Sequence, residues 1–337
     1  MTFDSNKTEF NSEIHEMVYA LGRRIVPFEI STAEISDKDM LEGLRQVYDF
    51  TVELFSDMYA DPKKYRLTDG VLAGDFHQYL FNIGRRQARV VNNNWAVEAS
   101  DVDILGPLAP MGIYYESKNG STTIKSSKYP LFLKCFYMCC KASEKRKVNC
   151  WEYIVFCDFR IFNKRISLKL EDLTRALSDR DKAFVLELHD HLASKGIKPT
   201  PRKYYNRILY HKKYCLLKID IFGSIPVEFG VCLGSSPNDE AFKFIVQEIE
   251  KLPNKEELLT YIVDNVNYCS YCCSRKGDKS CGGYWAELLG ERRFFCPWFA
   301  LTKRGKKNPS KVYNDHEINI LKQFLDLRIK AIDSAAR

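Results

Sequence analysis

The sequence predicts an α+β protein: a mostly helical N-terminal part, then C-terminal helices packed on a small antiparallel sheet and finished by a cysteine-rich hairpin. Three observations carry that prediction. Apolar residues recur at helical spacing on both sides of the chain's middle. Between 204 and 233 the spacing changes to period two, with short polar connections that only antiparallel strands can use. Five cysteines, Cys269, Cys272, Cys273, Cys281 and Cys296, then surround one hairpin-like segment.

The helical reading begins at Ser36. Ser36-x-x-Asp39 has capping-box spacing, and Leu41, Leu44, Tyr48, Phe55 and Met58 continue as a stripe. Asp61-Pro62 stops it. A second helix is expected from about 69 to 86, with Leu72, Phe76, Leu80 and Ile83 on its apolar side. Residues 89–91 and 95–97 read as strands around an Asn92-Asn93-Asn94 turn. Gly106, Pro107, Pro110 and Gly112 mark a loop, and residues 113–115 are another strand. The polar run 116–127 lacks a core-forming pattern, so the domains are expected to divide there, as 1–125 and 126–337.

Beyond it, residues 131–140 are apolar on nearly every face, so that helix must be surrounded. Helices are expected at 149–159, 170–177 and 179–195, the last closed by Gly196. Strands follow at 204–210, 214–221 and 226–233. Ser236-Pro237, Asn254-x-x-Glu257 and Asn314-x-x-Glu317 open three further helices.

Zinc takes four soft or borderline donors in a tetrahedron, with thiolates at ~2.3 Å. Cys269-x-x-Cys272 is a knuckle pair. Cys281 precedes a hairpin with a Gly290-Glu291 turn, and Cys296 follows it. These four form the expected metal set, with Cys273 as an alternative to Cys272. Four thiolates leave no open coordination position, so the role expected is structural. An iron–sulfur cluster is the other cofactor such ligands serve. Buried reduced thiols are the reading without metal, and that reading is preferred for Cys135, Cys139, Cys140, Cys150, Cys157, Cys215 and Cys232.

Two basic segments could face nucleic acid. One holds Arg202, Lys203, Arg207 and Lys212 among tyrosines; the other holds Lys303, Arg304, Lys306 and Lys307, with Arg292 and Arg293 nearby. Cations interleaved with rings suit phosphate contact and base stacking. A solvated strand face and a loop explain the same residues, and a net charge of +7 requires no anionic partner.

No catalytic motif is complete. Gly-x-Ser-x-Gly, the Walker loop and Gly-x-Gly-x-x-Gly are all absent. His189 and His191 are two apart on a helix and so lie on different faces. No apolar run reaches 18 residues, and residues 1–10 lack the basic and apolar regions of a signal peptide, so a cytoplasmic protein without membrane contact is expected.

Tyr129-Pro-Leu-Phe-Leu-Lys, Cys157-Asp-Phe-Arg-Ile-Phe, Pro253-Asn-Lys-Glu-Glu-Leu and Cys281-Gly-Gly-Tyr-Trp together resemble a group of bacterial proteins of similar length that carry no assigned activity. The resemblance covers roughly the last two thirds of the chain and implies a bacterial cytoplasmic protein. The expected function is a binding protein pinned by zinc, with nucleic acid as a candidate partner. The alternative is an enzyme or small-ligand sensor, its pocket between the two domains and lined by His77, Glu187 or His189.

Overall fold

The computed structural model describes residues 13–65, 79–98, 102–145, 152–162, 168–175, 177–200, 207–222, 225–233, 240–265, 284–295, 300–301 and 313–335. Helices and antiparallel sheets coexist, so the fold is α+β. The chain divides into two compact units: residues 1–168 with 203–205, and residues 169–202 with 206–337.

The first unit is organised by the helix Lys38–Ala60. Its N-cap is Asp37, one residue later than the expected Ser36. The Asp37 carboxylate accepts from the backbone N–H groups of Asp39 and Met40, both at 3.0 Å. Leu44, Val47, Phe50, Thr51, Leu54, Phe55 and Met58 bury one face at three- and four-residue spacing. The helix ends at Asp61, and Pro62 begins a short 3-10 turn, Pro62–Tyr65. Of the helix expected over 69–86, residues 79–82 are helical and a π turn, Ile83–Gln87, follows.

A four-stranded antiparallel sheet packs in the same unit, in the order β1-β2-β4-β3. Its strands are β1 (Arg89–Val91), β2 (Asn94–Val97), β3 (Ile113–Lys118) and β4 (Ser121–Ser126). Asn92 and Asn93 both take positive φ between β1 and β2, the geometry of a two-residue hairpin turn. The run 116–127, expected as a break between domains, is instead the β3–β4 hairpin. Asn119 and Gly120 make its turn at φ +52° and +76°. β4 lies inside the sheet and buries only Thr122 and Ile124, so its alternation is easily taken for a polar loop. The Gly- and Pro-containing stretch before β3 is also more regular than a loop: Val102–Met111 forms 3-10 turns that bury Leu105, Leu108 and Met111.

The helix Phe132–Lys145 joins these parts, packing on the long helix, on β2 and on the π turn. The rings of Phe50 and Phe132 lie 4.1 Å apart, and the Trp95 indole N–H donates to the Leu133 carbonyl at 2.7 Å. This packing goes with the extent of the first compact unit, which runs to Leu168. Of the helix expected at 149–159, Glu152–Val155 is helical, and residues 149–151 lie outside the described residues. Cys157 takes φ +52°, and Asp158, fully buried, receives both Nε and Nη2 of Arg160, at 2.7 and 2.6 Å. A fork-on-carboxylate pair satisfies the buried charge, and helical backbone would separate the two groups.

The second unit is built on a five-stranded antiparallel sheet in the order β11-β8-β7-β6-β5. β6 (Arg207–Lys212), β7 (Tyr214–Phe222) and β8 (Ile225–Cys232) are the expected meander. Two-residue strands, β5 (Pro199–Thr200) and β11 (Ala300–Leu301), flank it. Ile208, Tyr210, Leu217, Ile219, Phe229 and Val231 bury one side. The helix Asp179–Ala193 is capped by the Ser178 side chain and followed by Gly196 at φ +75°. Glu240–Ile249 and Lys255–Asn265 follow the sheet. The helix Asp315–Ser334 opens on a complete capping box between Asn314 and Glu317 and packs on Asp179–Ala193, on Glu240–Ile249 and on β7 and β8. Among the described residues, no helix is long and apolar enough to cross a membrane.

Candidate functional site

The tail hairpin forms as the sequence predicts, with its turn one residue earlier. β9 (Tyr284–Leu288) pairs with β10 (Glu291–Phe295), and Leu289 and Gly290 make the turn at φ +51° and +74°. Tyr284 is the register partner of Phe295. The proposed ligands Cys269, Cys272, Cys281 and Cys296, and the alternative Cys273, lie outside the described residues. Among the described residues, no group of three or more His, Cys, Asp or Glu side chains is arranged to hold a metal ion.

Two cations of the basic segment on the sheet have carboxylate partners. Arg207 and Lys218 both pair with Asp220, which is 4% exposed, and Lys212 pairs with Asp333 at 2.6 Å. Arg207 and Lys212, both candidates for nucleic-acid contact, thus have carboxylate partners on the sheet and its last helix. Arg292 is exposed on β10, directly across from Glu287, and Arg293 is next in the same strand. Arg202, Lys203, Lys303, Arg304, Lys306 and Lys307 lie outside the described residues.

Of the groups named for an enzymatic pocket, His189 and Glu187 have partners within the second unit. His189 Nδ1 lies 3.0 Å from the Tyr210 hydroxyl. His191 Nε2 lies 2.8 Å from Asp326, which Lys195 also approaches at 3.0 Å. The two histidines thus point to different elements, as their spacing requires. Glu187 pairs with Lys322, and His77 lies outside the described residues.

Two kinds of sulfur remain. Cys135, Cys139, Cys140 and Cys157 are buried in the first unit, where they behave as small hydrophobes. Burial raises the thiols of Cys139 and Cys140 and pushes Cys157 up to about 12 against a lowering hydrogen bond with Thr51, so all three stay protonated at neutral pH. Cys215 and Cys232 differ. Both are half-buried, and their sulfurs lie 3.4 Å apart. Sequence reading missed this pair because nothing in the spacing of residues 215 and 232 announces it.

A scan against protein-family models found no match, and searches of curated proteins and of solved structures found none either.

Proposed function

We propose that this chain is a cytoplasmic binding protein whose tail is stapled by a structural zinc ion held by Cys269, Cys272, Cys281 and Cys296, with Cys273 as the substitute for Cys272. The supporting observation is the hairpin register. Tyr284 and Phe295 face each other across β9 and β10. Cys296 is the next residue after Phe295, and Cys281 lies three residues before Tyr284. Three residues span at most about 10 Å, so the chain length allows both sulfurs to reach one ion. The helix Lys255–Asn265 ends four residues before Cys269.

Dialysed protein is expected to retain one zinc per chain, and Cys281→Ser and Cys296→Ser are expected to lose it. Cobalt in place of zinc should give the absorption of a tetrahedral thiolate site. Absence of metal from the dialysed wild-type chain rejects the zinc reading; iron with inorganic sulfide would assign a cluster in its place.

The same reading keeps nucleic acid as the candidate partner, through Arg202, Lys203, Arg207 and Lys212 on one segment and Arg292, Arg293, Lys303, Arg304, Lys306 and Lys307 on the tail. Affinity for a single-stranded oligonucleotide should fall with salt, and each Arg→Ala change should reduce the slope of log K against log salt by about one. An affinity that ignores salt rules out phosphate contact.

A further inference from the structure

Cys215 and Cys232 meet because of an irregularity in the sheet. β6 and β7 run in register from Arg207↔Asp220 to Tyr210↔Leu217; the next pair is His211↔Cys215. Leu216 is therefore an extra residue, a β-bulge. Leu216 and Leu217 are adjacent and both fully buried. Strict alternation would put Cys215 on the side of Leu217, whose partner on β8 is Val231, and Cys232 on the other. The bulge reverses the facing of residues beyond it, turning Cys215 toward Cys232.

The result is a dithiol and not two packing thiols. Its sulfurs are half-buried, where the four cysteines of the first unit are buried. Cys232 donates its S–H to the Cys215 sulfur. That bond and then burial raise the Cys232 thiol, while Arg328 and Lys218 act in the opposite direction. A disulfide has an S–S length of about 2.05 Å, so closure brings the sulfurs about 1.3 Å nearer than their present 3.4 Å. Ala300 of β11 is the register partner of Cys232, so the pair lies where the tail is laid on the sheet.

We propose that Cys215 and Cys232 form a reversible redox site that a low-molecular-weight disulfide oxidises to a cross-link between β7 and β8. The Cys215 sulfur, as thiolate, attacks one sulfur of the disulfide RSSR, giving a Cys215–SR mixed disulfide and releasing RS⁻. Cys232 then loses its proton and attacks the Cys215 sulfur, displacing the second RS⁻. Two protein thiols are oxidised, one RSSR is reduced to two RSH, and no other reactant is needed. In a reducing compartment the pair rests as the dithiol and closes when the pool of small disulfides rises.

The test uses the full-length wild-type chain, with its tail cysteines in place. The protein is incubated with oxidised glutathione, free thiols are blocked with iodoacetamide, and tryptic peptides are read by mass spectrometry. Cleavage after Lys213, Lys218 and Lys243 places the two cysteines on separate peptides. The expected product joins those peptides with loss of two hydrogens, and dithiothreitol reverses it. The link should persist in Cys139→Ser, vanish in Cys215→Ser and in Cys232→Ser, and lose its dominance when wild-type chain is oxidised in guanidinium. Three results overturn the proposal. Both cysteines could remain alkylatable, Cys215 could stop at the glutathione adduct, or either cysteine could join another cysteine in preference.

Discussion

Trp95→Ala is expected to lower the stability of the first unit by about 3–5 kcal/mol, the range for truncating a large buried aromatic. Trp95 is fully buried, and its ring lies 5.8 Å from that of Phe136. It also fills the space beside Gly84, where an added Cβ would meet the indole at 3.1 Å. Its N–H reaches the Leu133 carbonyl, so one side chain ties the sheet, the π turn and the helix Phe132–Lys145 together. Trp95→Phe separates the two contributions. It keeps most of the ring volume and loses the hydrogen bond, so its cost should be about 1–2 kcal/mol. Urea denaturation followed by circular dichroism measures both, as a midpoint shift with unchanged slope. A loss below about 1 kcal/mol for Trp95→Ala would show that the three elements do not depend on this ring.

Gly43→Ala should also destabilise, against the usual trend for a helix. Alanine inside a helix is favoured over glycine by about 1 kcal/mol. Here the added Cβ would sit 2.0 Å from the Cys135 sulfur and 3.2 Å from its Cβ. The sulfur is buried between two helices, and turning it aside does not relieve the second contact. Overpacking of this kind costs about 1–3 kcal/mol, enough to reverse the propensity gain. Cys135→Ala removes the sulfur, so the double variant should recover much of the loss, with a coupling energy of about 1 kcal/mol or more. Strictly additive effects would mean that Gly43 and Cys135 are not in contact. Both this transition and that of Trp95→Ala belong to the first unit, so the two variants should move the same part of the unfolding curve.

Long stripes and strong punctuation made much of the fold legible. The meander, the tail hairpin, the Asn314 capping box and the helix 132–145 all carry signals within one short window. Elements whose pattern is thin were misread. β4 has two buried positions, and the Asn119-Gly120 turn beside it was the better signal. The helix expected over 149–159 stops at Val155, before Cys157 takes φ +52° and Asp158 takes the Arg160 fork. Pairing across distance was not legible at all: Asp333 lies far from Lys212 in sequence, and no residue near 212 foretells it. Asp220 is closer to Arg207, but only the β6–β7 register brings them together. The dithiol was hidden for the same reason, because the bulge that makes it is a property of strand register.

Timing during synthesis follows from the last helix. Ile318, Leu321, Phe324, Leu325 and Ile332 are buried on it, and Arg328, fully buried, reaches the Leu233 carbonyl. The sheet of the second unit therefore keeps apolar surface uncovered until residues 315–332 have left the ribosome. Nearly all of the first unit has emerged by residue 168. Translation from the end of β8 at residue 232 to residue 332, at about 5–20 residues per second, takes on the order of ten seconds. During that time β6, β7 and β8 form a half-covered template, and nascent-chain chaperones would have their longest opportunity there.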